Sequence, residues 1–118
     1  SAEPKPAAER AADKIFFDFD SLLLTAASKK ALEGNALWLQ AQPEIRIVLE
    51  GYTDERGPAQ YNLALGEKRA QAAREYLVSL GVAPERISTI SYGEEKSTQG
   101  ADETAWSQDR RVEFVASN

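Results

Sequence analysis

The sequence has 118 residues, 42% of them hydrophobic, so one globular domain with a single core is expected. Its formal net charge of -5 argues against nucleic-acid binding, because phosphate recognition requires a basic surface. The absence of cysteine and histidine excludes disulfides, thiol nucleophiles, cysteine-based zinc sites and histidine-dependent triads, and we expect neither a cofactor nor a metal.

The N-terminal segment, residues 1–13, consists of alanine, proline and charged side chains with little apolar surface to bury. We predict a flexible tether over residues 1–13 and a folded domain over residues 14–118. A helix from Ala7 to Asp13 is the alternative for the tether, although an alanine-rich helix of that length is marginal in isolation.

A short aromatic strand with a polar end is predicted first in the domain, over Lys14–Asp20. Thr25 is a suitable N-cap for a helix that runs to about Gln42, where Pro43 ends it. The core-facing stripe predicted for this helix comprises Leu32, Ala36 and Leu39.

The next strand is predicted over residues 45–50, where apolar and polar side chains alternate. It leads into a loop of turn formers and charges, GYTDERGP, at residues 51–58. A long helix follows from about Pro58 to Leu80, and Gly81 is placed to end it in a left-handed conformation. The core-facing stripe predicted for this helix comprises Leu63, Gly66, Ala70, Ala73, Leu77 and Leu80.

Two more strands complete the predicted domain, one over Arg86–Tyr92 and one over Arg111–Val115. Between them, Asp102 can cap one or two helical turns that end at Gln108. The order β-α-β-α-β-(short α)-β predicts a two-layer α/β sandwich, in which two helices pack on one mixed four-stranded sheet.

Catalysis by paired carboxylates is disfavoured, although neighbouring acids occur several times in the chain. A glycosidase needs two carboxylates on opposite sides of one bond, whereas neighbouring acids in surface loops are usually solvated. The segment DFDS at residues 18–21 lacks the glycine and the distal glutamate of a calcium-binding EF-hand loop. We therefore expect a protein that is not an enzyme.

The most unusual feature is the loop that carries Asp54 and Arg56, together with one face of the helix after it. That face, beside the buried stripe, presents Asn62, Leu65 and Arg69. An acid, two guanidinium groups and an amide around an apolar contact suit a zwitterionic ligand, because arginine binds carboxylates and a carboxylate accepts from ammonium. The alternative is that Asp54 caps its own loop, and that Arg69 pairs with Asp54 or with neighbours of Glu67 on a solvated face.

Five segments, in order, resemble the signatures of OmpA-like peptidoglycan-binding domains. They are FDFDS (17–21), EGYTDERG (50–57), YNLALGEKRA (61–70), SYGEEK (91–96) and DRRVEF (109–114). They span the chain from about Lys14 to Val115. The TDERG turn with YNLALG resembles the branch of that family formed by the peptidoglycan-associated lipoproteins. The resemblance implies the OmpA-like version of the sandwich predicted above.

The resemblance also implies noncovalent binding of the peptidoglycan stem peptide, chiefly of its meso-diaminopimelate residue. It assigns the charged end of that residue to Asp54 and Arg69. Along the same groove it places Phe19, Asp20, Thr53, Arg56, Asn62, Leu65 and Arg110. Two departures from the family pattern, Tyr52 and a loop at residues 96–99 without proline, do not involve Asp54 or Arg69.

The resemblance further implies a lipid-anchored protein at the periplasmic face of the outer membrane, in a Tol-Pal-like system active in cell division. Because the sequence has no cysteine, we expect the lipid anchor to be absent from this fragment, which should itself be soluble. One alternative is a protein-protein interaction module whose main ligand is a Tol-system partner such as TolB. A hydrolase of the cell wall is the third hypothesis.

Overall fold

Four strands and three helices build the part of the chain that the computed structural model describes, residues 14–98 and 100–117. The strands are β1 (Ile15–Phe16), β2 (Arg46–Tyr52), β3 (Ile87–Gly93) and β4 (Arg111–Ser117). The helices are α1 (Ala26–Ala41), α2 (Ala59–Ser79) and α3 (Glu103–Asp109), and a short 3₁₀ turn at Pro84–Arg86 precedes β3. The predicted order of elements is confirmed, while the tether predicted over residues 1–13 lies outside the described residues.

The strands form one mixed sheet in the order β1-β4-β2-β3. β4 is antiparallel to both of its neighbours, and β2 is parallel to β3. The predicted first strand is longer than the observed one, because the chain turns after Phe17, whose N–H donates to the carbonyl of Arg110. The turn is closed by the N–H of Ser21 on the carbonyl of Asp18, with Asp20 at a φ of 53°. This turn places the segment after β1 over the end of β2.

Helix α1 begins and packs as its sequence predicts. The hydroxyl of Thr25 accepts from the N–H of Ser28, which is a side-chain N-cap. All three residues of its predicted stripe, Leu32, Ala36 and Leu39, are buried in the core.

The buried face of α2 differs from its prediction in the first turns. Leu63 is 46% exposed, and the polar residues Asn62 and Arg69 take buried positions instead. The reason is that a polar loop covers this end of the helix: the amide of Asn62 donates to Glu94, 2.6 Å away, and to the carbonyl of Gly57. The later residues of the predicted stripe, from Gly66 to Leu77, are buried, and Leu80 is partly buried.

Two glycines let α2 cross the sheet at close range. A Cβ on Gly51 would lie 1.9 Å from the carbonyl oxygen of Gly66, and a Cβ on Gly66 would lie 2.3 Å from the hydroxyl of Ser91. Helix α2 therefore rests almost directly on the backbone of β2. This contact fixes the first turns of α2 beside the loop that leaves β2 at Thr53.

We predict that Gly51→Ala destabilises the domain by about 1–3 kcal/mol, because the added methyl group meets backbone that cannot move independently. Gly34→Ala is the matched control. Gly34 lies in the interior of α1 with no atom within 4 Å of an added Cβ, so alanine should stabilise the helix by about 0.5–1 kcal/mol. Urea unfolding measures both effects. A Gly51→Ala protein as stable as the wild type would contradict the close crossing.

Candidate functional site

A pocket of about 360 Å³ opens between the segment after β1, the loop that follows β2 and the first turns of α2. Among the residues predicted for the site, those on its wall are Phe19, Asp20, Thr53, Asp54, Arg56, Asn62, Leu65 and Arg69. Three further lining residues were not predicted: Gly57, Pro58 and Tyr61. Arg110, the remaining predicted residue, is not among the described residues that line this pocket.

The guanidinium of Arg69 is fully enclosed beneath the pocket, with 0% of the residue exposed. It donates to three backbone carbonyls, those of Ser21 (3.1 Å), Tyr52 (3.3 Å) and Asp18 (3.0 Å). The prediction that Arg69 lies on a stripe beside the buried one is therefore wrong. Helix α2 buries this residue because the segment after β1 folds over it and supplies two of the three carbonyls.

Arg69 carries a positive charge that no acid of the described residues neutralises directly. Among the described residues, no carboxylate forms an ion pair with it, so the alternative in which it pairs with a neighbouring acid is wrong. Burial and, next, the charge of Arg110 lower the pKa of Arg69 to about 10, against the opposing effects of Asp54 and Asp20. The group stays protonated near neutral pH, so a positively charged side chain lies beneath the pocket.

Asp54 is also buried, with 4% of the residue exposed, but its charge is well satisfied. Its Oδ1 accepts from the backbone N–H of Arg56 (3.0 Å) and from Nε (3.2 Å), and its Oδ2 accepts from Nη2 of the same residue (2.8 Å). Nη1 of Arg110 lies 3.5 Å from Oδ2. Burial acts to raise the pKa of Asp54, but the hydrogen bonds from Arg56 and the two nearby cations outweigh it, so the pKa falls below its usual range.

Arg110 supports Asp54 from behind the pocket wall. Its Nε donates to the carbonyl of Phe17 (2.8 Å), and its Nη2 donates to Glu103 (2.7 Å). The hydrogen bond to Arg110 lowers the pKa of the Glu103 carboxyl. Charges therefore alternate along a chain that runs from Glu103 through Arg110 and Asp54 to Arg56.

The side chain of Arg56 covers Asp54 on the solvent side. Its guanidinium carbon lies 3.9 Å from the ring centroid of Phe19 and 3.9 Å from that of Trp106. Such stacking of a cation between two aromatic faces is favourable. The side chain of Arg56 is 30% exposed, against 5% for that of Asp54. Among the described residues, Asp54 is its one hydrogen-bond partner.

Two polar contacts shape the rest of the pocket. Thr53 donates through its hydroxyl to the carbonyl of Asp54 (3.0 Å), which helps to hold the loop. The hydroxyl of Tyr61 donates to the carboxylate of Asp20, and this bond raises the pKa of Tyr61.

Tyr61 could have been found from its position four residues before Leu65, on the same helical face. Trp106 gives no such signal, because it reaches the site from α3, far along the chain.

Residues 14–98 and 100–117 contain no group of three or more acidic side chains arranged to hold a metal ion. Within the same ranges, no helix has both the length and the apolar character needed to cross a membrane.

The sequence of this chain matches a known protein family and several named proteins. The model of the OmpA family matches residues 16–111. The chain is 50% identical over 104 residues to a protein of Brucella melitensis named peptidoglycan-associated lipoprotein, covering 87% of this chain and 62% of that protein. It is 48% identical over 109 residues to a protein of the same name from Pseudomonas putida, covering 92% of this chain and 65% of the relative. The chain thus spans less than two thirds of the length of these relatives.

Solved structures agree with the fold. The peptidoglycan-associated lipoprotein from Burkholderia pseudomallei superposes with a TM-score of 0.85 and 41% identity, over 88% of this chain and 89% of that one. The C-terminal domain of Helicobacter pylori MotB superposes with a TM-score of 0.82 at 24% identity, over 90% and 84% of the two chains. At that identity the second likeness concerns the fold alone.

We predict that Arg69→Met destabilises the domain by about 3 kcal/mol, because buried carbonyls lose their donor. Methionine keeps much of the side-chain length, so the loss reports hydrogen bonding and charge more than packing. Lys68→Met, on the exposed side of the same helix, is the control and should change stability by no more than about 0.5 kcal/mol. Urea unfolding of both variants gives the comparison, and equal stabilities would show that Arg69 is not a structural tie.

Proposed function

Because the chain belongs to the OmpA family, we propose that it binds the stem peptide of peptidoglycan noncovalently and so links the outer membrane to the cell wall. The relatives named peptidoglycan-associated lipoprotein support an association with the wall. Neither their name nor that of the family denotes a catalyst, and the chain is a non-enzymatic member of this family. The full-length protein is lipid-anchored at the periplasmic face of the outer membrane and acts in a Tol-Pal-like system.

The observation that carries the proposal is a pocket with an acid on its wall and, beneath it, a buried guanidinium that forms no ion pair within the described residues. Diaminopimelate ends in a centre that carries both an ammonium and a carboxylate. The carboxylate is drawn towards Arg69, whose charge no acid of the described chain neutralises. The ammonium is held by Asp54, which is ionised near neutral pH. Opposite charges on one ligand thus meet opposite charges in one pocket.

For Arg69 to contact the ligand, side chains at the entrance of the pocket have to move. Its guanidinium has five N–H groups and donates to three carbonyls, so donors remain for a ligand carboxylate. It has no exposed surface in the free protein, however, and the bonded pair of Asp20 and Tyr61 lies on the pocket wall near it. The carboxylate reaches the guanidinium when this pair moves. The apolar side chains of Phe19 and Leu65 then cover the methylene groups of the ligand.

Exposed apolar side chains in the segment between β1 and α1 favour a second proposal, a protein partner of the TolB kind. Phe19 is 58% exposed and Leu23 is 78% exposed, both in the segment between β1 and α1. Exposed apolar residues beside a binding site are typical of protein interfaces. Parallel pull-downs with purified sacculi and with a TolB-like protein separate the two roles. Loss of wall binding alone in Asp54→Asn supports wall binding as the role of the pocket, whereas loss of partner binding alone supports the partner.

We predict that Asp54→Asn weakens binding of a diaminopimelate-containing tripeptide about ten- to a hundredfold, because a hydrogen bond to a charged group is lost. Isothermal titration calorimetry of wild type and variant provides the measurement. A lysine-containing tripeptide is the control ligand: it lacks the terminal carboxylate and should bind the wild type more weakly.

Asp102→Asn is the matched control variant. Asp102 is an exposed N-cap of α3 that accepts from the N–H of Ala105, and asparagine can accept the same bond. It should bind the diaminopimelate peptide like the wild type. Equal affinities of wild type and Asp54→Asn for that peptide would show that Asp54 serves only its own turn.

A further inference from the structure

Within the described part of the chain, most acceptor positions of the Asp54 carboxylate are already occupied. A carboxylate offers about four lone-pair sites. Arg56 fills three of them with its backbone N–H, Nε and Nη2, and Nη1 of Arg110 lies 3.5 Å from Oδ2. An ammonium that arrives from solvent therefore competes with these donors for the carboxylate.

Only one donor is free to leave. Arg110 is buried and is held in place by the carbonyl of Phe17 and by Glu103. The backbone N–H of Arg56 belongs to the loop itself. The guanidinium of Arg56, by contrast, is partly exposed, and the described part of the chain gives it no hydrogen-bond acceptor other than Asp54. Its remaining contacts are the faces of two rings, Phe19 and Trp106.

We propose that the Arg56 guanidinium is a tethered cation that occupies the ammonium position of the pocket in the free protein, and that the ligand's ammonium replaces it. This inference rests on the proposed function and deepens it. Arg56 lowers the affinity for ligands that place an ammonium on Asp54, because that ammonium competes with an intramolecular ion pair of high effective concentration. It also sets specificity, because a neutral ligand cannot balance the charge of Asp54 once the guanidinium has left.

The stacking of Arg56 on Trp106 allows its replacement by the ligand to be followed by tryptophan fluorescence. Removal of the guanidinium from the face of Trp106 changes the surroundings of its indole, and tryptophan emission responds to such a change. The chain has one other tryptophan, Trp38, partly buried against the core on α1. Trp38→Phe therefore leaves Trp106 as the single reporter of the position of Arg56.

Calorimetry of Arg56→Met tests the proposal. Methionine can fill the space between the two rings without charge, so the fold should persist, which circular dichroism checks. We expect the variant to bind a diaminopimelate-containing tripeptide about tenfold more tightly than the wild type does, since the two competing hydrogen bonds of the guanidinium are gone. The same peptide with its side-chain amine acetylated should gain none of this affinity.

Arg111→Met is the matched control. Arg111 also stacks on a ring at 3.9 Å, that of Tyr52, and also pairs with a carboxylate, that of Glu113, but it is not among the residues that line the pocket. This variant should keep the wild-type affinity.

The outcomes separate the two proposals. If the wild type does not bind the diaminopimelate peptide, the proposed function fails and this inference fails with it. If the wild type binds while Arg56→Met binds equally or more weakly, only the role of Arg56 is overturned, and the residue is a neutral neighbour or a ligand contact. Should Arg56→Met not fold, the Trp38→Phe protein decides. A saturable change in Trp106 emission at the calorimetric affinity supports the exchange, and unchanged emission at saturation overturns it.

Discussion

The site depends on one interaction, the burial of the Arg69 guanidinium against three backbone carbonyls. Two of these carbonyls belong to the segment after β1 and one to the end of β2, so a single side chain of α2 ties three parts of the chain together. A buried charge needs hydrogen bonds, and carbonyl dipoles supply them without neutralising it. The guanidinium of Arg69 therefore both holds the pocket wall together and leaves a positive charge beneath the pocket.

The acidic half of the pocket is balanced in a different way. Asp54 belongs to a chain of alternating charges that α3 extends by supplying Glu103, while Trp106 from the same helix stacks on Arg56. A short helix between the last two strands thus contributes to the site although none of its residues lines the pocket. The two halves differ in a way that matters for binding: fixed dipoles satisfy the guanidinium, whereas a partly exposed and movable cation satisfies the carboxylate.

Much of the fold could be predicted from local sequence. The cap at Thr25, the left-handed stop at Gly81 and the buried stripe of α1 depend on residues close together in the chain, and all three are confirmed. The burial of Arg69 could not be predicted in this way. Its carbonyl partners at Ser21 and Asp18 lie 48 and 51 positions away in the chain, and an arginine on a helix is usually exposed.

In the candidate site, too, features that depend on nearby residues were predictable and contacts between distant residues were not. Most lining residues on the loop after β2 and on α2 were predicted because they share short, ordered motifs, although Gly57, Pro58 and Tyr61 of the same segments were missed. Arg110 was predicted on the groove, but it lies behind Asp54, since the pairing of β4 with β1 directs its side chain to the carbonyl of Phe17. Glu103 and Trp106 could not be predicted at all, because only the folded chain brings α3 beside the loop.

The most direct test of the proposed site is a structure of this domain with a diaminopimelate-containing tripeptide bound. We expect the terminal carboxylate of the ligand on the guanidinium of Arg69 and its ammonium on the carboxylate of Asp54, with the side chain of Arg56 displaced from that carboxylate. A peptide bound outside this pocket, or bound in it with the zwitterionic end directed away from Asp54 and Arg69, would contradict this assignment.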